Sequence, residues 1–448
     1  MATNTPGSTE QDVERVYLAG VVFPGEDEFA SEYMEELKRL AKTAGGLVVG
    51  GTQQKRIRPH PSTFMGKGKI LEMAADAKSL DASLLIVDND LSPAQARNME
   101  KLSGLPLIDR SQLIMDIFAA GARTLQARKQ VELAQLEYTL PRLKRMWSHL
   151  SRIRSSIGMR GPGETQLEVD RRMIRLKISE LKRSLKKIEG RKQREIGARG
   201  RYFKVSLVGY TNSGKSTLLN RLTGADVLVE DRLFSTLDTR TRKWDLDDSQ
   251  TVLLSDTVGF IRKLPHHLVA SFHATLEEAA TADLLVHVVD SSQPAVERNM
   301  MAVNDVLGDL GVGATPQILV FNKTDLGGDF MEMTRLSRDL PFHVLTSAAT
   351  GQGLDELTAL VSRHQLDTFA LLSATVPAAA GRLRAFIAEH GSVLTSVSRD
   401  SVETITFRLP RWNLGQLRRI AVVENGVLEE EPAREHWTDS PSDRGDHL

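Results

Sequence analysis

The sequence predicts an α/β protein in four parts, and three patterns support this. Strand-length apolar runs alternate with helical patterns over 15–122 and again over 201–366, which predicts parallel-dominated sheets with helices on their faces. Between them, leucines spaced by three and four residues predict an antiparallel helical hairpin over 123–199. Helix-like and strand-like segments together predict a small α+β domain at 376–428. A polar, acidic tail follows at 429–448, and we expect it to be disordered.

Short apolar runs in the N-terminal α/β domain are separated by residues with helical spacing. The strand candidates are 16–23, 47–50 and 84–88, and the helix candidate between the first two is 29–42. Ser92 and Pro93 predict another helix start, because a serine caps the first turn and a proline fits its first position. The domain should therefore be a small parallel sheet covered by helices.

Two apolar seams define the hairpin. The first consists of Leu133, Leu136, Leu140, Leu143, Trp147 and Leu150, and the second of Leu167, Ile174, Ile178, Leu181, Leu185 and Ile188. The loop between them, at 151–163, is rich in glycine, so that the hairpin tip should project. Pro141 lies inside the first seam and should kink that helix or mark its true start.

The hairpin carries an excess of positive charge that the whole-chain balance conceals. Lys plus Arg and Asp plus Glu number 58 each, whereas residues 142–204 contain 20 basic and 6 acidic residues, a net charge of +14. A segregated basic segment in a neutral chain is typical of an element that binds a polyanion such as RNA. A solvated helix face is the structural alternative.

The composition narrows the class of protein. Since there is no cysteine, disulfides and thiolate metal sites are excluded, which fits a reducing compartment. The start of the chain is polar and acidic, unlike a signal peptide, and no apolar run approaches the roughly 20 residues that span a bilayer. We therefore expect a soluble, cytoplasmic protein without a membrane span.

A phosphate-binding loop follows the strand candidate 204–208. It reads Gly209-Tyr210-Thr211-Asn212-Ser213-Gly214-Lys215-Ser216, followed by Thr217, and matches G-x-x-x-x-G-K-[ST] at the start of a helix. Glycines let backbone N–H groups turn toward phosphates, and the helix N-terminus adds positive charge. Lys215 would reach the β- and γ-phosphates, and the Ser216 hydroxyl would bind Mg²⁺.

Three further motifs lie at the ends of later strand candidates. They are Asp256-Thr257-Val258-Gly259, Asn322-Lys323-Thr324-Asp325 and Ser347-Ala348-Ala349. Asp256 would hold Mg²⁺, the Gly259 N–H would face the γ-phosphate, and Asp325 would accept hydrogen bonds from guanine N–H groups that adenine does not offer. The last motif would contact the guanine oxygen through backbone N–H groups. In this order, the motifs predict that the chain binds and hydrolyses GTP.

The first switch should lie between the phosphate loop and Asp256, where a threonine must reach Mg²⁺ and the γ-phosphate. The candidate segment is Phe234-Ser235-Thr236-Leu237-Asp238. It offers Thr236, and spacing alone does not separate this residue from Thr239 and Thr241.

The residue that follows Gly259 is unusual. Ras-like switches have a glutamine there that orients the attacking water, whereas this chain has Phe260, which cannot do so. Either a partner completes the site or another residue does this work. His266 and His267 are candidate bases, and Arg240 and Arg242 are candidate charge stabilisers.

Four segments together resemble the HflX family of translational GTPases, over nearly all of residues 15–425. They are Thr63-Phe64-Met65-Gly66-Lys67-Gly68-Lys69, Gly158-Met159-Arg160-Gly161-Pro162-Gly163-Glu164-Thr165-Gln166-Leu167-Glu168, 209–217 and Asp256-Thr257-Val258-Gly259-Phe260-Ile261. The resemblance implies a GTPase that binds the large ribosomal subunit and dissociates stalled or hibernating ribosomes under stress. In this family the N-terminal domain and the hairpin, here 125–198, dock on ribosomal RNA, and the ribosome stimulates hydrolysis.

The resemblance also implies roles for individual residues. Thr236 becomes the Mg²⁺-binding threonine, and 234–238 the switch segment that contacts the nucleotide. The expected catalytic residues are Lys215, Thr236 and Gly259, the expected metal ligands are Ser216, Thr236 and Asp256, and the cofactors are GTP or GDP and Mg²⁺. The protein should be monomeric when bound. One departure is the hairpin loop, where 151–158 replaces the run of glycines common in the family and makes the tip more basic.

Three other functions stay open on the sequence. One is a GTPase that acts as an assembly factor for the large subunit. Another is an RNA-remodelling ATPase that uses the string Gly66-Lys67-Gly68-Lys69 to contact phosphate, although 1–150 contains no second complete phosphate loop. The third is a non-enzymatic coiled coil that binds protein, for which binding should depend little on salt.

Overall fold

The structure is a computed structural model that describes residues 13–145, 162–198, 202–225, 233–234, 240–247, 250–262, 278–313, 315–328, 330–338, 342–377, 380–399 and 402–430. It confirms the predicted α/β class. The chain divides into two compact units, one made of residues up to 245 with 251–354, and the other of 246–250 with 355 onward. Among the helices of these described ranges, none combines the length and the apolar character needed to cross a membrane.

The N-terminal part of the first unit is a four-stranded parallel sheet. Its elements are β1 (Arg15–Val22), α1 (Ala30–Thr43), β2 (Leu47–Lys55), α2 (Lys67–Ser79), β3 (Leu84–Val87), α3 (Pro93–Ser103), β4 (Leu107–Asp109) and α4 (Arg110–Gly121). The strand order is β2-β1-β3-β4. Alternate residues of β1 enter two different apolar clusters, so that both faces of the sheet are covered. Ser92 caps α3 in a capping box with Gln95.

Two helices, α5 (Leu125–Thr139) and α6 (Pro162–Ala198), form the hairpin. Leu133 of α5 packs with Leu181 and Leu185 of α6, all of them predicted seam residues. Pro141 ends the helix rather than starting it, because α5 gives way to 3-10 turns over Leu140–Arg145. The seam and loop predictions at 146–161 lie outside the described residues.

The six-stranded sheet of the first unit has the order β10-β9-β8-β5-β7-β6. Its elements are β5 (Phe203–Gly209), α7 (Lys215–Thr223), β6 (Arg240–Asp247), β7 (Gln250–Asp256), β8 (Leu284–Asp290), α8 (Val296–Asp309), β9 (Gln317–Asn322), α9 (Phe330–Ser337) and β10 (His343–Leu345). Five of the strands pair in parallel, and only the edge strand β6 was not predicted. The carboxyl ends of the parallel strands therefore meet at one edge, where ligands bind in such sheets.

The second unit contains a four-stranded antiparallel sheet. Its elements are α10 (Leu354–Asp367), β11 (Phe369–Pro377), α11 (Gly381–His390), β12 (Ser392–Arg399), β13 (Val402–Pro410), α12 (Leu414–Val423) and β14 (Val427–Glu430). Leu383 and Leu417 of the helices join Phe407 of β13 in the core. The sheet reaches beyond the predicted 376–428, because β11 starts at Phe369 and β14 pairs the first residues of the predicted tail with it. Residues 431–448 lie outside the described residues.

Candidate nucleotide-binding site

The phosphate loop connects β5 to α7 and depends on two glycines. Gly209 and Gly214 have φ angles of 152° and 94°. A Cβ atom on Gly209 would lie 2.1 Å from the Val288 carbonyl oxygen, and one on Gly214 would lie 2.2 Å from Asn322 Nδ2. The loop therefore fits closely against the ends of β8 and β9, and glycine is required by contact as well as by φ.

The Lys215 side chain packs against the phosphate loop that precedes it. Its side chain is buried, and its Nζ donates to the carbonyl oxygens of Gly209 at 3.0 Å and Tyr210 at 2.8 Å. Burial lowers the pKa of Lys215 to about 8, against the opposing influence of Asp256, and Lys323 lowers it further. An anionic phosphate at this position would supply charge that the neutral carbonyls lack, and would raise the pKa again.

Ser216 and Asp256 face each other across the ends of α7 and β7. The Ser216 hydroxyl donates to Asp256 Oδ2 at 2.6 Å, and the Asp256 side chain is fully buried. A hydroxyl and a carboxylate are hard oxygen donors of the kind that Mg²⁺ prefers. The two side chains thus fit a magnesium site next to the phosphate loop. Thr257 has another task, because its hydroxyl donates to the Leu207 carbonyl oxygen at 2.7 Å and ties β7 to β5.

The residues after Thr257 and Val258 lie directly against the phosphate loop. A Cβ atom on Gly259 would lie 2.8 Å from the Thr211 Cα. Phe260 N–H donates to the Gly209 carbonyl oxygen at 3.1 Å, and Thr211 N–H donates to the Phe260 carbonyl oxygen at 2.7 Å. The Phe260 ring is buried in an apolar cluster with Val208. Its side chain is therefore used for packing, while its backbone holds Gly259 beside the loop.

Asn322 links three of the predicted motifs through its side-chain amide. Its Nδ2 donates to the Ser213 carbonyl oxygen at 2.9 Å, and its Oδ1 accepts from the Ala348 N–H at 2.9 Å. Lys323, which follows it, has a φ of 65°, and its Nζ lies 2.8 Å from Asp290 Oδ2. The asparagine therefore has a structural function in joining the loops.

The guanine motif and the segment after β10 are also in contact. Asp325 Oδ1 accepts a hydrogen bond from the Ser347 hydroxyl at 2.6 Å, and the Thr324 hydroxyl donates to the Thr346 carbonyl oxygen at 3.0 Å. Ala348 is buried and Ala349 is exposed. The structure thus brings the four motifs 209–217, 256–259, 322–325 and 347–349 together, although they are up to about 140 residues apart in the sequence.

The predicted first switch is described only in part. Ser235, Thr236, Leu237, Asp238 and Thr239 lie outside the described residues, as do His266 and His267. Phe234 is buried in the apolar cluster beside the N-terminal sheet, where its ring packs edge-on against Phe118 with centroids 4.6 Å apart.

Of the other candidates near the first switch, three lie in β6. The hydroxyl of Thr241 is 2.9 Å from that of Ser255 in β7. Thr241, the alternative to Thr236 as the switch threonine, is therefore hydrogen-bonded within the sheet. Arg240 and Arg242 belong to the same strand, and Arg242 is exposed.

The N-terminal glycine–lysine string forms the start of α2. The Gly66 N–H donates to Gln54 Oε1 at 2.8 Å, and Lys69 Nζ lies 2.6 Å from Glu72 Oε1. Both groups thus have partners within the N-terminal domain.

Two features near the loop were not predicted. His287 is buried in β8, and burial together with nearby Lys215 lowers its pKa to about 3, so that the imidazole stays neutral. Its Nδ1 is 3.1 Å from Gln317 Nε2. In addition, Glu36 of α1 accepts a hydrogen bond from the Tyr210 hydroxyl. No sequence spacing signals either feature, since the residues involved are distant along the chain.

Comparisons with protein families agree with this geometry. A family described as "GTP-binding GTPase N-terminal" matches residues 31–119, and "GTP-binding GTPase Middle Region" matches 121–199. A third, "50S ribosome-binding GTPase", matches 204–323, the segment that contains the phosphate loop.

Curated relatives cover most of the chain. GTPase HflX of Escherichia coli (strain K12) is 44% identical over 378 residues, 83% of this chain and 87% of that protein. GTPase HflX of Magnetococcus marinus is 42% identical over 419 residues, 92% of this chain and 96% of that protein. A GTP-binding protein from Sulfolobus solfataricus, solved in complex with GDP, is 25% identical with a TM-score of 0.42, covering 79% of this chain and 98% of the other.

The close contact between Gly214 and Asn322 can be tested by substitution. Gly214→Ala should lower the affinity for GDP by about tenfold or more, because the new Cβ would displace Asn322 and the φ of 94° would be strained. Gly224→Ala is the matched control, since Gly224 also has positive φ but has open space around its Cβ position. Titration with a fluorescent GDP analogue measures both. Equal losses of GDP affinity in the two variants would mean that backbone strain at positive φ, and not the contact between Gly214 and Asn322, causes the effect.

Proposed function

This chain belongs to the HflX family of GTPases, and on that premise we propose that it is a GTP-controlled factor that binds the large ribosomal subunit and dissociates stalled or hibernating ribosomes under stress. The observation that carries the proposal is the combination of a guanine-nucleotide site with a long basic hairpin. The nucleotide site and the hairpin have separate chemical tasks, and both are needed for a switch that binds RNA in only one nucleotide state.

In the nucleotide site, the N–H groups of 209–217 and the Lys215 ammonium bind the phosphates. Ser216 and Asp256, with Thr236 of the first switch, would hold Mg²⁺, which neutralises charge on the β- and γ-phosphates. The Gly259 N–H would donate to the γ-phosphate. Because this contact exists only with GTP, its loss on hydrolysis to GDP would let the protein distinguish the two nucleotides.

Guanine is selected by Asp325. Its carboxylate would accept two hydrogen bonds from guanine, in addition to the one from Ser347, and ATP would leave those acceptors unpaired. The backbone of 347–349 would contact the guanine oxygen.

The position of Phe260 supports a requirement for the ribosome in hydrolysis. Its ring is 2% exposed and lies in the core, so it cannot orient the attacking water. The missing catalytic group would therefore come from the ribosome, and the protein would turn over GTP slowly until it is bound.

The hairpin supplies the surface for RNA. Helix α6 has 37 residues, and its exposed basic side chains include Arg172, Arg175, Lys182, Arg183, Lys186 and Lys187. A helix of this length reaches about 55 Å at ~1.5 Å per residue, far enough to extend from the nucleotide domain into a groove of ribosomal RNA.

Dissociation of intact ribosomes is the direct test of this function. With GTP, the protein should convert purified 70S-type ribosomes into separate subunits in a density gradient, and Lys215→Ala should not, because it cannot hold the phosphates. Binding that is restricted to immature large subunits, with intact ribosomes left joined, would contradict the proposal and indicate an assembly factor.

The hairpin is tested by charge reversal. Changing Arg171, Arg172 and Arg175 to Glu should lower affinity for the large subunit at least about tenfold and flatten its dependence on salt, because phosphate contacts are lost, while GTP affinity stays the same. The control reverses three exposed arginines of the second unit, Arg382, Arg418 and Arg419, with the same change in net charge. Equal losses in both variants would mean that net charge, and not the hairpin, governs binding.

A further inference from the structure

The base of the hairpin is bonded to the N-terminal sheet through an arginine. Arg142 lies in the 3-10 turns that follow α5, and its side chain is 19% exposed. Its Nη2 donates to the Leu91 carbonyl oxygen at 2.7 Å and to Asp109 Oδ2 at 3.3 Å, while its Nη1 donates to the Tyr138 carbonyl oxygen at 3.1 Å. The guanidinium carbon lies 3.4 Å from the centre of the Tyr138 ring. Arg142 therefore joins the loop after β3, the end of β4 and the end of α5.

Asp109 is the acceptor at the centre of this contact. Its side chain is 1% exposed and accepts from the Gln112 N–H at 3.0 Å, the Leu91 N–H at 3.2 Å and the Tyr138 hydroxyl. Burial raises the pKa of Tyr138, and the charge of Asp109 raises it further, so that the hydroxyl stays protonated and donates. Both backbone polar groups of Leu91 are thus held, one by Asp109 and the other by Arg142. We call Asp109, Tyr138 and Arg142 the hairpin anchor.

Apolar packing holds the start of α5 more completely than its end. Ala127 lies in the apolar cluster beside the N-terminal sheet. Toward the end of α5, an open cavity of about 360 Å³ separates it from α4, lined by Met115 and Asp116 of α4 and by Gln135 and Thr139 of α5. Because the two helices are not closely packed there, the direction of the hairpin depends on the polar bonds of the anchor.

The basic residues of the hairpin fall into two groups. Arg142 is the first basic residue of the basic segment 142–204, and its guanidinium is used within the protein. Arg172 and Arg175 of α6 are exposed instead. A guanidinium that already has protein acceptors gains less from a phosphate than an exposed one does, since those bonds would have to be broken first.

We propose that Asp109, Tyr138 and Arg142 are positioning residues for RNA binding by the hairpin. They fix its direction relative to the N-terminal sheet and do not themselves contact RNA. This rests on the proposed function, in which the hairpin docks on ribosomal RNA. A hairpin that already points in one direction loses less conformational freedom on binding than one that moves at its base. The anchor therefore raises affinity without adding a phosphate contact.

Loss of the anchor should weaken RNA binding without changing its salt dependence. Arg142→Gln removes the ion pair with Asp109, and Tyr138→Phe removes only the hydroxyl bond. Each should lower affinity for the large subunit about fivefold or more, because the hairpin must then be ordered on binding. The slope of log affinity against log salt concentration should stay the same, since no phosphate contact is lost.

Arg172→Gln is the contrasting variant, because it removes an exposed charge from the hairpin. It should lower affinity for the large subunit and reduce the salt slope by about one, as expected for a lost phosphate contact. GDP affinity should stay within about twofold in this variant and in both anchor variants, since the substituted residues lie away from the nucleotide site.

The chain contains no cysteine, so the direction of the hairpin can be measured with two introduced labels. Lys101→Cys in α3 and Ser179→Cys in α6 place spin labels at exposed positions of the N-terminal domain and of the hairpin. The distribution of distances between them should broaden in both anchor variants. Tyr17→Phe is the matched control, because it removes a tyrosine hydroxyl that is bonded to another carboxylate within the N-terminal domain. It should leave the distances and the subunit affinity unchanged.

A broader distance distribution, lower subunit affinity and an unchanged salt slope are the expected results. A slope reduced by about one in Arg142→Gln, with unchanged distances, would mean that Arg142 contacts RNA and would overturn the proposal. Unchanged affinity in both anchor variants would overturn it as well. If the unmodified protein does not bind large subunits even at low salt, the proposed function fails, and the distances alone then decide whether the anchor sets the direction of the hairpin.

Discussion

The buried amide of Asn322 is the contact on which the nucleotide site depends. It is 1% exposed and stands at the carboxyl end of β9, where its two polar atoms join the Ser213 carbonyl oxygen to the Ala348 N–H. Parallel strands bring the ends of β5, β7, β9 and β10 to one edge, but they leave the loops beyond those ends free to separate. One side chain with both a donor and an acceptor fixes the phosphate loop relative to the segments 322–325 and 347–349. Gly214 is required for the same reason, because the amide occupies the space of its side chain.

Contacts from the N-terminal domain reach the same site. Glu36 of α1 accepts a hydrogen bond from the Tyr210 hydroxyl, which in turn accepts one from the Arg262 N–H, and Arg110 of α4 donates to the Arg262 carbonyl oxygen. The segment after Gly259 is therefore hydrogen-bonded both to the phosphate loop and to the N-terminal domain.

Much of the fold and of the site could be predicted, because the signals for both are local in sequence. The phosphate loop follows from two glycines, a lysine and a serine at fixed spacing, and the capped start of α3 follows from Ser92 and Pro93. The strands β11 and β14 were missed, although β11 buries alternate residues and pairs with both β13 and β14. Glu429 and Glu430 give β14 a polar sequence that resembles a tail. Pro141 was ambiguous, because a proline both ends and begins helices. The contact between Glu36 and Tyr210 could not be predicted at all, since the two residues lie 174 positions apart and no spacing rule connects them.

The most direct test of the proposed function is a measurement of GTP turnover by the purified protein. It is made with the protein alone and with purified large ribosomal subunits, over a series of salt concentrations. We predict slow turnover alone and strong stimulation by the subunits, which should weaken as salt rises because salt would screen the proposed contacts of the basic hairpin with RNA phosphates. Fast turnover by the protein alone, unchanged by large subunits at any salt concentration, would contradict it.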